Sequence, residues 1–193
     1  MHKQNPKVAA RVTQAMRTLP RDHFIEMSNP SLVLGRSMMS SALKRRMNFE
    51  TIHPTKSVED EIGVVIREAE KALKASGVDV QPDEDIIRAL VVIFHELRNG
   101  QSLDGRSTDR LASAVMSTAE AVSVAHAMGV YAYYYREGSM LAEDFTDFLV
   151  GAAIKDNSAD LKRMNHYFET EVAHKQGDVW QIIYRRWQES FRF

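Results

Sequence analysis

The clearest signal in this chain is a series of apolar stripes recurring at three- and four-residue spacing. From Ser57 onward, Ile62, Val65, Ile66, Ala69 and Leu73 keep one face of a helix apolar until Ser76 and Gly77 stop it. Ser57 offers the hydroxyl of an N-cap, and Glu59, Asp60 and Glu61 place carboxylates in the first turn, where they complement the positive end of the dipole. Pro82 and Asp83 open a second helix, whose Ile86, Ile87, Leu90, Val91, Phe94 and Leu97 form a wide buried face ending at Asn99 and Gly100. A connector bearing Gly and Ser, residues 100–108, follows. Ser117-Thr-Ala-Glu120 has the form of a capping box, and its helix runs to Tyr135. Val122, Ala125, Met128 and Gly129 give that helix a face small enough for another helix to approach closely.

The C-terminal third continues the pattern. Glu143 and Asp144 start a helix through Phe145, Phe148, Leu149 and Ala152, stopping near Asp156 and Asn157. Ser158 caps the next, with Leu161, Met164, Tyr167, Phe168 and Val172 inward and Arg163, Glu169 and Glu171 outward. Gly177 and Asp178 precede a last amphipathic helix holding Trp180, Ile183, Tyr184 and Trp187. Before Ser57 the signal is thinner. Residues 7–18 read as a short helix with Val8, Val12, Ala15 and Met16 on one side, and residues 37–46 as another. Asn48-Phe-Glu-Thr-Ile-His53 alternates apolar and polar before Pro54, which predicts a strand. The expected fold is mainly α, with residues 55–193 as a helical domain and residues 1–54 as a separate region.

With 193 residues the chain can bury a core without disulfides, and it contains no Cys, which excludes thiolate zinc sites and thiol nucleophiles and fits a reducing compartment. Its 25 Lys and Arg against 26 Asp and Glu leave a net charge of −1, so nothing global draws it to nucleic acid or an anionic membrane. Charge interrupts every apolar run well short of the roughly 20 residues that span a bilayer, and residues 1–7 are polar with no apolar segment following. The expectation is a cytoplasmic protein.

Candidate chemistry is sparse. No Gly-x-x-x-x-Gly-Lys-Ser/Thr occurs, so no loop of the usual composition wraps a triphosphate in backbone N–H groups. His95-Glu96 lacks the second His of a zinc-binding helix, and a structural role outweighs a ligand role for His95 and His126 in their apolar helices. Ser117 reads as a cap before a nucleophile, and Glu169 with Glu171 as a solvated face before an acid/base pair. Lys44-Arg45-Arg46 is a local cationic cluster at an element boundary. It suits either a helix end, where cations complement the dipole, or a guanidinium directed at phosphate, and the trio alone does not choose.

Met39-Ser-Ser-Ala-Leu-Lys-Arg-Arg-Met-Asn-Phe-Glu-Thr-Ile-His-Pro54 resembles the segment that closes the large subdomain of MoxR-like AAA+ ATPases. Met116-Ser-Thr-Ala-Glu-Ala-Val-Ser-Val-Ala-His-Ala-Met-Gly129 resembles a helix of the C-terminal lid in one branch of that family, and Lys155 through Leu161, Lys162 and Arg163 its closing helices. The resemblance implies a helical bundle like an AAA+ lid, preceded by a short helix and strand of the α/β nucleotide-binding subdomain. It implies Arg46 as an arginine finger reaching a neighbouring subunit's ATP, with Arg45 as the reserve, and it implies ATP and Mg for the complete family protein.

The family's phosphate-binding loop and magnesium-binding acidic strand precede such a segment, and residues 1–38 match neither, so the chain is expected to be the C-terminal part of an ATPase, inactive alone. Many such lids begin this helix with Ser-Pro-Arg, whose Arg contacts nucleotide. Here Ser117-Thr118-Ala119 puts Ala at that position, leaving Arg106 and Arg110 in the connector as the substitutes. Expected partners are other ATPase subunits, identical or not, and a protein substrate to be remodelled, with no nucleic acid, membrane or metal site. The rival reading is a non-enzymatic helical interaction module that regulates an intact ATPase.

Overall fold

A computed structural model describes residues 55–108, 111, 116–154 and 158–191. The helices start where the local chemistry supplies a cap. Helix α1 (Val58–Ala75) begins at Ser57, whose Oγ accepts the Asp60 N–H at 3.2 Å, and ends as the Ser76 N–H turns back to Ala72 and Leu73. Helix α2 (Glu84–Asn99) begins at Asp83, whose Oδ1 accepts the Ile86 N–H at 3.0 Å. It ends on Gly100 at φ +68°, a left-handed conformation that costs glycine nothing. Helix α3 (Thr118–Tyr135) carries the expected reciprocal capping box between Ser117 and Glu120.

The remaining chain is shorter-stepped. A 3-10 turn, Ala142–Asp144, leads into α4 (Phe145–Ala153); α5 (Ser158–Thr170) is followed by a second 3-10 turn, Val172–His174; and α6 (Asp178–Phe191) closes the described chain. All regular structure among the described residues is helical, apart from one isolated bridge between Gln101 and Ser107. The fold is therefore mainly α, as the periodicity predicts. No helix among the described residues is long and apolar enough to cross a membrane.

Helix α2 is the central element, because its apolar residues leave no polar side over much of its length. Ile86, Ile87, Ala89, Leu90, Val91, Val92, Ile93, Phe94 and Leu97 are all buried, and α1, α3 and α6 each pack on it. Helices α1 and α3 make the most extensive pairing. Gly129 makes it possible: a Cβ there would lie 2.6 Å and 2.8 Å from the two methyl carbons of the fully buried Leu73 and 3.2 Å from Met140 Cε. On the far side, Phe168 of α5 stacks on Trp187 of α6 with centroids 4.0 Å apart, and Trp187 Nε1 donates to Asn165 Oδ1 at 2.8 Å.

Three readings of the sequence need correction. Glu171 is not on a solvated face: α5 stops at Thr170, the chain tightens into the 3-10 turn, and the change of phase turns Glu171 inward to 5% exposure. Val172 is inward as expected but belongs to that turn and not to α5. The helix expected from Glu143 begins as a 3-10 turn and becomes α-helical only at Phe145, then ends at Ala153, before Asp156. The short helices and the strand expected before Pro54 lie outside the described residues.

The tight α1–α3 contact gives a pair of opposite glycine effects. Gly129→Val is expected to lower stability by about 1–3 kcal/mol through overpacking against Leu73. Gly63→Ala, at an exposed helical position with no atom within 4 Å of the added Cβ, is expected to raise it by about 0.5–1 kcal/mol. Denaturant unfolding of the two variants checks both signs.

Candidate functional site

Of the arginines singled out by sequence, Arg45, Arg46 and Arg110 lie outside the described residues. Arg106 lies on the connector, 55% exposed, with Nη2 2.9 Å from Glu171 Oε2 and 3.5 Å from Asp104 Oδ2. The Glu171 contact is a charge pairing off the hydrogen-bonding axis, since Oε2 receives no aligned N–H. Arg106 is thus drawn toward the chain's own carboxylates.

The densest charge chemistry surrounds the start of α3. Glu61, fully buried, takes a two-pronged ion pair from Arg98: Nη1 to Oε1 at 3.1 Å and Nη2 to Oε2 at 2.8 Å. Thr118, the first residue of α3, donates its hydroxyl to Glu61 Oε1 at 2.7 Å. Arg98 Nη1 also donates to the carbonyl of Met116 at 2.8 Å, and its Nη2 lies 3.3 Å from His95 Nδ1. Burial pushes the Glu61 carboxyl up, but the hydrogen bonds from Arg98 and Thr118 and the charges of Arg98 and His95 outweigh it, holding the group below its ordinary value. Met116 pays for this arrangement with φ +50°, unusual for a residue with a side chain.

A second centre forms around Glu96, also fully buried. Its carboxylate accepts the Tyr167 hydroxyl at 2.5 Å, Lys175 Nζ at 2.9 Å and the Leu103 N–H at 3.0 Å. Burial first, then the Glu96 charge, pushes the Tyr167 phenol well above its ordinary 10.0, so it stays a donor. Four stretches of chain, α2, the connector, α5 and the residue after the second 3-10 turn, meet on this one carboxylate.

The connector itself reads Gly100-Gln-Ser-Leu-Asp-Gly105-Arg106-Ser107, which is a phosphate-loop spacing with Arg in place of Lys. Its geometry is not that of a phosphate loop. It follows the end of a helix, where a phosphate loop follows a strand. Most of its amides are committed: Gly100 and Gln101 to the Glu96 carbonyl, Ser102 to the Arg106 carbonyl, Gly105 to the Ser102 carbonyl, Arg106 to Ser102 Oγ, Thr108 to the Gly100 carbonyl. The anion held here is Glu96.

The histidines are structural in their contacts: His95 beside Arg98, and His126 with Nε2 3.1 Å from Ser76 Oγ. Among the described residues, no group of three or more His, Asp or Glu side chains is arranged to hold a metal ion. Sequence reasoning missed the roles of Arg98, Glu61, Glu96 and Lys175. The available signal was Glu96 itself, a carboxylate just beyond the unbroken apolar run of residues 89–94, where burial demands a cationic or donor partner.

A family described as the YehL-like AAA+ ATPase C-terminal domain matches residues 59–190. The chain belongs to that family. It is also 36% identical over 152 residues to the Escherichia coli (strain K12) protein titled "Uncharacterized protein YehL", an alignment covering 78% of this chain and 41% of the relative. The chain thus spans well under half the length of that relative. No solved structure matches.

The span shared with the YehL-like domain runs from the first turn of α1 into the last turns of α6, so it encloses both buried charge centres and the connector loop. An AAA+ C-terminal domain is a helical lid, and the described helices have that character.

Removing the guanidinium while leaving the sealed carboxylate is costly. Arg98→Ala in this YehL-like domain is expected to lose about 3–5 kcal/mol of stability, measured by urea unfolding at neutral pH. The low-lying Glu61 carboxyl fixes the sign of an acid effect. Its ionised form stabilises the fold above about pH 4.5, its ordinary value, and this contribution is lost as pH falls through the depressed folded value. Glu61→Gln should therefore flatten the acid limb of stability against pH relative to the unaltered chain.

Proposed function

We propose that this chain works as the lid-bearing C-terminal part of a MoxR-like AAA+ ATPase, acting in trans on ATP and Mg held by other subunits. Arg46, with Arg45 in reserve, supplies the arginine finger, whose positive charge offsets the negative charge developing on the transferred phosphoryl. A finger of this kind is worth on the order of 10³ or more in rate. The assembled ring couples hydrolysis to remodelling of a protein partner in the cytoplasm, through movement of the lid.

The observation that carries this reading is the match of residues 59–190 to an AAA+ C-terminal domain in a sequence without a Gly-x-x-x-x-Gly-Lys-Ser/Thr loop. The connector loop supports it, because most of its amides are already bonded within the chain. A catalytic role is then completed by phosphate-binding groups outside these residues.

A second reading, a non-enzymatic module that regulates an intact ATPase, is favoured by the surface of α3. It contains Glu120 but no other Asp or Glu and no Lys or Arg, and Ser123, Tyr133, Tyr134 and Tyr135 stand exposed along it. Such an uncharged face suits contact with another protein.

By calorimetry, the chain alone should show no Mg-dependent ATP binding. Added to P-loop-bearing subunits, it should support hydrolysis that Arg46→Ala depresses at least a hundred-fold, on the order expected for a finger, while nucleotide affinity stays nearly unchanged. Equal turnover with that variant removes the finger assignment. Altered turnover without incorporation of the chain, read from assembly mass, establishes the regulatory reading.

A further inference from the structure

The first turn of α3 gathers what an anion site uses: a nearly buried guanidinium, a hydroxyl, and the positive end of an eighteen-residue helix. The guanidinium and the hydroxyl are turned toward an anion that the chain itself provides. The Glu61 carboxylate reaches across from α1, engages both terminal nitrogens of Arg98, and takes the Thr118 hydroxyl. Glu120 adds a second carboxylate on the Ser117 N–H at 2.9 Å. Two carboxylates, Glu61 and Glu120, thus already lie where a phosphate would have to approach, and each repels it.

We infer that Glu61 is a built-in counter-anion, which closes the start of α3 to phosphate and holds Arg98 inside the lid as a positioning residue. Resting on the AAA+ reading above, this means that the lid takes no direct reading of nucleotide phosphate at α3, and that its position is set through contacts made elsewhere. The geometry around Arg98 supports a positioning role. The same guanidinium grips the Met116 carbonyl and keeps that residue, 1% exposed, at its unusual positive φ. The chain's entry into α3 is thereby fixed by an interaction inside the lid. Among the described residues, the charged and titratable groups facing this place are Glu61, His95 and Arg98 from α1 and α2, and Glu120 from α3.

The test is an anion rescue on the full chain, with no ATP turnover involved, so its outcome is independent of whether the ATPase reading holds. Amide shifts of Thr118 and Ala119 and the Arg98 side-chain signals are followed while sodium phosphate, sodium acetate or sodium chloride is added at constant ionic strength. In the unaltered chain phosphate should move these signals no more than chloride does. In Glu61→Ala, which opens room for a small anion, phosphate or acetate should shift them saturably and raise Tm by about 2–4 °C over chloride. If Glu61→Ala does not fold, Glu61→Ser, which frees nearly the same space while keeping a polar group, should show the same anion-dependent shifts. Saturable phosphate shifts at Thr118 in the unaltered chain overturn the inference, and so does a folded variant in which every anion behaves as chloride does.

Discussion

The ion pair between Glu61 and Arg98 is the constraint around which this lid is organised. Both groups are almost wholly withdrawn from water, so each needs the other, and satisfying both requires α1, α2 and the entry to α3 to hold fixed relative positions. An apolar core of leucines, isoleucines and valines would tolerate small slippage between helices. A two-pronged carboxylate–guanidinium contact does not, because its hydrogen bonds weaken steeply when misaligned. The desolvation cost of the pair is therefore offset by specificity of arrangement, and Met116 absorbs the remaining misfit in its backbone.

Glu96 repeats the principle on the other side of α2. Its carboxylate binds the connector through Leu103, α5 through Tyr167, and the chain beyond the second 3-10 turn through Lys175. Two buried acids, one on α1 and one on α2, thus divide the work. Glu61 secures the α1–α3 half and Glu96 the connector and the C-terminal helices. The glycine-bearing loop shows how far this goes. It has the spacing and nearly the composition of a phosphate cradle, yet most of its amides close on carbonyls, a hydroxyl and a glutamate of the same chain.

Much of the helical architecture was legible because its determinants are local. Ser57, Asp83 and Ser117 cap the helices predicted for them, and Ile62, Val65, Ala69 and Leu73 of α1 are buried as their period requires. Gly129 was legible as a point of close approach, though not that Leu73 would be its neighbour. The misreadings arise where phase changes without a strong local signal. Nothing in the residues around Thr170 marks the tightening into a 3-10 turn, so Glu171 was placed on the wrong side. Glu61 was read as one of three acids serving the dipole, because the partner that buries it stands 37 residues later on another helix. Pairings of that range are invisible to periodicity.

The aromatic contact between α5 and α6 has an optical consequence. Trp180 and Trp187 are the protein's two tryptophans, and both belong to α6. Trp187 lies against Phe168 with its indole N–H bonded to Asn165, while Trp180, half-buried, has the Lys175 ammonium 5.2 Å from its ring centre. The tryptophan emission of this chain therefore comes from one helix in two different environments. Without any label, the last helix reports its own detachment from the rest of the lid.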